Sequence, residues 1–401
     1  MKNNRLLILG AGRGQVGLYK AAKELGYHTI AGTMEGDNLP SLKFADEVAL
    51  MDISNPDEVE KKAKSLNLQG AATCCLDTGI QSLGRVCDSL KLSGLTEKSA
   101  IMCNDKLQMK QALIDESVST AKFFKISNEE NLKQSFSELN FPVVIKATDL
   151  QGSRGVYICD TESQAMDSFK KVMQETKRNY CIIEEFIEGL EFGAQSFIYN
   201  GEVLFVMPHG DETYMSHTAV PVGHYVPFEK NDQLFDQINT TVKNAIKALK
   251  LDNCAVNVDL ILKDNKVYII ELTGRVGANC LPELVEINYS IDYYKMIAQM
   301  AMNDSPLDIW ENRSDKEYAG LARMLIETEK SGVIEEIAYK GKLSDSIREV
   351  TFFKNRGDKV RKFVNSNDCI GQVIVKSDTI EECEKLINKV YNDIQFNIFS
   401  N

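Results

Sequence analysis

The stretch CAVNVDLILKDNKVYIIELTGR, residues 254–275, reads as two apolar strands around an Asp264-Asn265 turn, with Asp259 and Glu271 set inside them. Side chains alternate between faces along a strand, so the pairing register decides which groups share a face. A two-residue loop pairs Val258 with Glu271 and Asp259 with Ile270, and leaves both faces mixed. A three-residue loop, Asp264 to Lys266, pairs Asp259 with Glu271 and Leu260 with Ile270. One face then carries Val258, Leu260, Leu262, Tyr268, Ile270 and Leu272. The other carries Asn257, Asp259, Ile261, Ile269, Glu271 and Thr273. Hydrophobic sorting therefore predicts the odd-length loop. It also predicts two carboxylates directly opposite each other, with Cβ atoms roughly 5 Å apart.

Like charges at that distance repel. A solvated outer face would screen them, and Arg275, of the same parity, could neutralise them. A hard divalent cation answers the pattern most simply. Mg2+ takes one or two protein carboxylates and fills its octahedron with water and substrate phosphates. Mn2+ suits the same oxygen donors. Arg275 could equally fork onto an anionic substrate beside the ion.

Phosphates need further partners. In FPVVIKATDLQGSRGVYI, Lys146 ends an apolar strand, and a lysine there aims its ammonium at something anionic. The following loop supplies Gly152, Ser153 and Gly155, whose backbone N–H groups can face phosphate oxygens, and Arg154 adds charge. The loop is not a Walker P-loop. Lys106 opens a helical stretch, with Asp105 as a candidate cap. In CIIEEFIEGLEF, backbone groups of Glu184, Glu185, Phe186 and Ile187 could read a flat base, and Glu191 could accept from ribose hydroxyls.

Residues 1–100 alternate strand and helix signals, which predicts a parallel sheet covered on both faces. Helices follow near 79–91 and 97–117. A second, β-rich unit starts near Thr120 and includes a hairpin turning at Asn200-Gly201. PHGDETYMSHTAVPVGH, 208–224, lies between a strand and the helix from 231. It reads either as a surface loop or as a lining of the substrate pocket, with His217 the candidate. From about 307 a smaller unit ends in a helix whose Thr379 and Glu382 form a capping box.

A net charge of −12 speaks against nucleic acid and against an anionic membrane surface as partners. No apolar run approaches the roughly 20 residues that span a bilayer, and the N-terminal run is too short for a signal peptide. The ten cysteines form no Cys-x-x-Cys pair, which suits reduced thiols in the cytoplasm. The four histidines show no zinc-ligand spacing with cysteine, so no zinc site is expected.

Taken together and in this order, NDK, VVIKA…GSRGV, IIEEFIEG-L-E, VNVDLIL and IIELTGR resemble the ATP-grasp superfamily of carboxylate–amine ligases. The resemblance covers most of the chain. It is nearest to the branch of biotin carboxylase, phosphoribosylglycinamide synthetase and carbamoyl-phosphate synthase. It implies a mixed α/β and α+β chain of three parts. These are a Rossmann-like parallel α/β domain at 1–100, an ATP-grasp domain at 101–306 with a lid about 120–186, and an α+β domain at 307–401. By the same resemblance Lys106 and Lys146 contact ATP phosphates under the lid loop 151–155. Glu184 to Ile187 form the adenine hinge and Glu191 holds the ribose. Asp259 and Glu271 ligate Mg2+, and Arg275 stabilises the transferred phosphate or the acyl intermediate. The family's Glu-x-Asn-x-Arg becomes Glu-x-Thr-x-Arg here, and Thr273 is a poorer metal ligand than asparagine. The implied activity is ATP-dependent activation of a small-molecule carboxylate as an acylphosphate for attack by an amine, in a cytoplasmic enzyme whose branch commonly forms homodimers.

Two other readings use the same residues. Gly12, Gly14 and Gly17 make Gly-x-Gly-x-x-Gly after a strand, with Glu35 roughly 20 residues on, which is the pattern of an NAD-dependent dehydrogenase. In the resembled family a similar glycine turn serves the substrate side, which makes Gly12 and Gly14 substrate candidates. A non-catalytic ATP-binding protein would also keep these motifs.

Overall fold

The computed structural model describes residues 4–150, 154–215 and 219–399. They fall into two compact units. One takes Met1–Val206, Leu234–Val276 and Tyr294–Pro306; the other takes Met207–Gln233, Gly277–Tyr293 and Leu307–Asn401. Gly152, Ser153 and His217, three of the candidate residues, lie outside the described residues.

The first unit opens with β1 (Arg5–Leu9), α1 (Val16–Glu24), β2 (His28–Thr33), β3 (Glu47–Leu50), α2 (Pro56–Ala63), β4 (Gly70–Ala72) and α3 (Ile80–Leu90). The strands pair in the order β3-β2-β1-β4, all parallel. Leu6 to Leu9 on β1 are wholly inaccessible, as a central parallel strand covered on both faces must be. The glycine motif after β1 is used internally. The Gly12 N–H donates to Gln15 Oε1 at 2.9 Å, and Gln15 Nε2 donates to the Cys74 carbonyl at 2.6 Å. A Cβ on Gly17 would stand 2.3 Å from the Tyr294 ring. Thus Gly12 has its amide taken by the chain's own glutamine, and Gly17 makes room for a tyrosine.

The single helix expected over 97–117 is two, α4 (Glu97–Asn104) and α5 (Lys106–Asp115). Asp105 leaves helical geometry and caps α5, its carboxylate accepting from the N–H groups of Leu107 and Gln108 at 3.0 and 3.4 Å. That cap puts Lys106 at the first helical position.

Next come β5 (Phe123–Ile126), α6 (Glu129–Ser135), β6 (Val143–Lys146), β7 (Val156–Cys159), α7 (Glu162–Glu175) and β8 (Cys181–Glu185). They build an antiparallel sheet in the order β5-β8-β6-β7. Leu132, Phe169 and Val172 of the helices pack on Ile126, Val143 and Ile145 of the strands.

β9 (Leu190–Tyr199) and β10 (Glu202–Met215) are joined at Asn200-Gly201, both at positive φ, as a two-residue hairpin demands. β11 (Ala219–Val226), α8 (Asn231–Ala248), β12 (Cys254–Lys263) and β13 (Lys266–Thr273) follow. In the first unit β13, β12, β9 and the start of β10 lie side by side. The described residues of 208–224 are strand rather than a surface loop. His209 on β10 and His224 on β11 belong to paired strands and are buried.

The chain continues through α9 (Leu281–Tyr289), α10 (Tyr293–Ala301), α11 (Leu307–Glu311), β14 (Ala319–Leu325), β15 (Gly332–Tyr339), β16 (Ile347–Phe352), β17 (Lys359–Val360), β18 (Gly371–Ser377), α12 (Ile380–Asn392) and β19 (Ile394–Phe399). In the second unit the end of β10, β11, β14, β18 and β16 form one sheet, and β17-β15-β19 another. Cys383, Ile387 and Val390 of α12 pack on Leu321, Val373 and Val375. Thr379 caps this helix by accepting from the Glu382 N–H. The Glu382 carboxylate accepts from the Ser377 hydroxyl at 2.5 Å, so the reciprocal half of the predicted capping box is not made. Among the described residues no helix is long and apolar enough to cross a membrane.

Candidate active site

β12 and β13 pair Asn257 with Thr273, Val258 with Leu272, and Asp259 with Glu271. The carboxylates therefore face each other on one side of the ribbon, as the hydrophobic pattern requires. The route differs from the expected one. Lys263 pairs with Lys266, so the turn holds only Asp264 and Asn265, both at positive φ. The odd residue sits in a bulge instead: the register shifts between Asp259 and Leu260, and Leu260 meets Ile269. Ile270 is thereby skipped, and Ile269 rather than Tyr268 or Ile270 is fully buried.

Asp259 is exposed and accepts from Asn257 Nδ2 at 3.1 Å. Glu271 accepts from Lys106 Nζ at 3.1 Å, and the same ammonium donates to the Leu150 carbonyl at 2.9 Å. One cation of the chain thus already offsets part of the paired charge. The remaining donors are hard oxygens open to solvent, a set that fits a divalent ion of the magnesium class.

Arg275 feels the Asp259 charge, but its paired hydrogen bonds go to another carboxylate. Its Nε and Nη2 fork onto both oxygens of Asp77 at 2.7 and 2.5 Å. Thr273 donates its hydroxyl to the same carboxylate at 3.1 Å. Burial would raise the Asp77 carboxyl, but Arg275 outweighs it and holds the group below the usual range. Sequence reasoning missed Asp77. The signal was its place just past the C-terminal end of the parallel strand β4, where open α/β sheets carry their ligands. Asp77→Asn keeps the volume and strands the guanidinium. It should lower unfolding stability by roughly 2–4 kcal/mol in urea titrations, under the full figure for a buried pair because the aspartate is 19% exposed.

The expected hinge also needs correction. Glu184 lies in β8 between β5 and β6, paired with Phe123 on one side and Val144 on the other, so its backbone offers no open edge. Its carboxylate is buried between two lysines, with Lys110 Nζ at 2.8 Å and Lys146 on the other oxygen. Burial alone would raise this carboxyl, yet the two ammonium groups hold it at about 2. Lys110, itself fully buried and bonded to Thr120 Oγ1 at 2.9 Å, was not singled out from sequence. The N–H groups of Glu185 and Phe186 donate to the carbonyls of Lys122 and Pro142. Ile187 is the first residue past the ladder. Its side chain joins Ala121 and Ile261 in an apolar cluster, with Tyr268 and Ile270 packed against it. Glu191 is exposed on β9, opposite Ile261. Arg154 and Gly155 precede β7, and Gly155 takes positive φ.

Lys106 pairs with Glu271, and Lys110 and Lys146 both pair with Glu184, so these five side chains carry one positive charge in excess. The arrangement can hold a polyanion through lysines and a divalent ion through the facing carboxylates. The ATP-grasp domain family matches residues 139–283, which contain Lys146, Asp259, Glu271 and Arg275. The structure is similar to phosphoribosylglycinamide synthetase from Anaerococcus prevotii, with 61% identity and a TM-score of 0.88 over 99% of this chain and 100% of that one. The chain belongs to the ATP-grasp carboxylate–amine ligases. Residues 324–398 of this ligase match the L-amino acid ligase C-terminal domain 2 family. Among curated proteins it is 24% identical to alanine–anticapsin ligase of Bacillus subtilis over 66% of this chain and 62% of the relative. It is 23% identical to phosphoribosylamine–glycine ligase of Streptococcus pyogenes over 56% of each. The alignments thus span less than two thirds of either relative's length. An ATP-grasp ligase uses ATP and a divalent metal, which excludes the dehydrogenase reading as the family activity.

Proposed function

We propose that this ligase activates the carboxylate of an α-amino acid with ATP and passes the acyl group to an amine, releasing ADP and phosphate. The facing Asp259 and Glu271, with Lys106 on the latter, are the observation that carries it. The named relatives support the acid: one joins glycine, another alanine, and the domain at 324–398 is named for L-amino acids.

In this reading Asp259 and Glu271 hold Mg2+, with Mn2+ able to replace it. The bound ion supplies charge neutralisation along the triphosphate. Lys106 turns from Glu271 towards the phosphates, and Lys146 does the same from Glu184. Arg154, Gly155 and the neighbouring Gly152 and Ser153 close over them and keep water from the acylphosphate. The apolar cluster at Ile187 takes the adenine, with the backbone from Glu185 through Phe186 to Ile187 reading its edge, and Glu191 meets the ribose. Arg275, held in one rotamer by Asp77, steadies the phosphoryl group in flight; positioning and charge carry this transfer. Gly12 and Gly14 border the acceptor side. The division at about 100 and 306 then separates acceptor binding, nucleotide chemistry and a C-terminal part. The enzyme is read as a cytoplasmic homodimer, which light scattering tests by a mass of twice the chain.

The amine has two candidates. Likeness to the synthetase favours a phosphorylated sugar amine, and the match at 324–398 favours a second amino acid. ADP release with a panel of amino acids, each with phosphoribosylamine or with another amino acid, separates them. ADP formation with bicarbonate or a non-amino acid alone would contradict the proposed acid.

A further inference from the structure

His209, Asp211 and His224 share one face of the β10–β11 ribbon. Asp211 stands directly opposite His224, and His209 precedes Asp211 by one strand repeat. Both imidazoles converge on a single oxygen. His209 Nδ1 lies 2.9 Å and His224 Nδ1 2.6 Å from Asp211 Oδ1. The two rings meet edge to face at 5.3 Å. Both histidines are almost wholly buried, at 2% and 4% exposure. Of the described residues, this is the one group of three or more such side chains whose donor atoms all lie within 4.8 Å of one another.

A buried carboxylate needs a cation or strong donors to offset its desolvation. Two imidazoles and a carboxylate form the mixed nitrogen and oxygen set that zinc-class ions prefer over magnesium. In tetrahedral coordination such donors stand about 3.3 Å apart, so each histidine–aspartate pair must open by under ~1 Å. That adjustment is within the reach of side-chain rotation on adjacent strands.

We infer that His209, Asp211 and His224 form a second metal site, for a divalent transition metal of the zinc class, separate from the carboxylate pair at Asp259 and Glu271. The ion would clip β10 to β11 and leave at least one coordination position for another ligand. Spacing in the sequence concealed the site because its histidines pair through an aspartate rather than with cysteine.

The test is a zinc titration of the chelator-treated full chain, competed against a chromogenic chelator, with cobalt absorption as a second reading. The expected result is one tight equivalent per chain and a tetrahedral cobalt spectrum without thiolate charge transfer. His209→Ala and His224→Ala should each weaken zinc at least about 100-fold, because losing a ligand exceeds the loss of its orienting partner. Asp211→Asn, which keeps the volume, serves as a further variant should either alanine substitution unfold the chain. Glu271→Gln should retain the equivalent. Absence of tight zinc in the wild-type chain overturns the assignment, and so does an equivalent that survives the histidine changes or disappears with Glu271→Gln. Because the readout is metal binding, failure here leaves the ligase reading untouched.

Discussion

Glu271→Gln is expected to reduce ADP-forming turnover by about 10³-fold or more, the effect of losing several kcal/mol of charge stabilisation at a bound metal. The substitution keeps the shape of the side chain and removes one of the two facing charges. It also releases Lys106, whose ammonium lies 3.1 Å from Glu271. The fold should tolerate this, since the glutamate side chain is 30% exposed and no core packing depends on its charge. Thermal unfolding should therefore shift by no more than a few degrees while the rate collapses. Activity within a few-fold of wild type would remove Glu271 from the metal site.

The largest expected loss of stability comes from Glu184→Gln. It leaves Lys110 and Lys146 buried together with no counter-charge between them. Breaking a buried ion pair from one side costs roughly 3–5 kcal/mol, which lowers the unfolding midpoint by about 10 °C in a chain unit of this size. A double-mutant cycle with Lys110→Met should show strong coupling, because the two groups share one contact.

The same carboxylate sets an acid limb. Its pKa falls from an ordinary 4.5 to about 2 on folding. A depressed carboxylate supports the fold fully above the unfolded value and loses that support as pH falls towards the folded one. Urea midpoints should therefore decline between about pH 4.5 and 2 in the wild type. In Glu184→Gln that decline should be shallower.

How much of this the sequence reveals depends on the range of the interaction. The facing of Asp259 and Glu271 follows from local alternation, because one face of the ribbon must be buried. The same alternation cannot tell whether the odd residue sits in the loop or in a bulge. Positive φ at Asp264 and Asn265 decides for the short turn and moves the extra residue to Ile270. The cap at Asp105 is legible for the same local reason. Lys110 and Asp77 are not legible, because their meaning lies in partners far along the chain, Glu184 and Arg275. A lysine on a helix reads as solvent-facing until the sheet that buries it is known. The histidines on β10 and β11 suffer likewise, since their likeness to a loop came from polar composition while the strands pair across it.

The facing carboxylates are tested most directly by calorimetric titration of ATP in the presence of Mg2+. Wild-type protein should take up one equivalent of the nucleotide with its ion, and Asp259→Asn/Glu271→Gln should weaken that uptake by about 100-fold or more. Equal affinity in the two proteins, or no heat of binding in the wild type, would contradict the account.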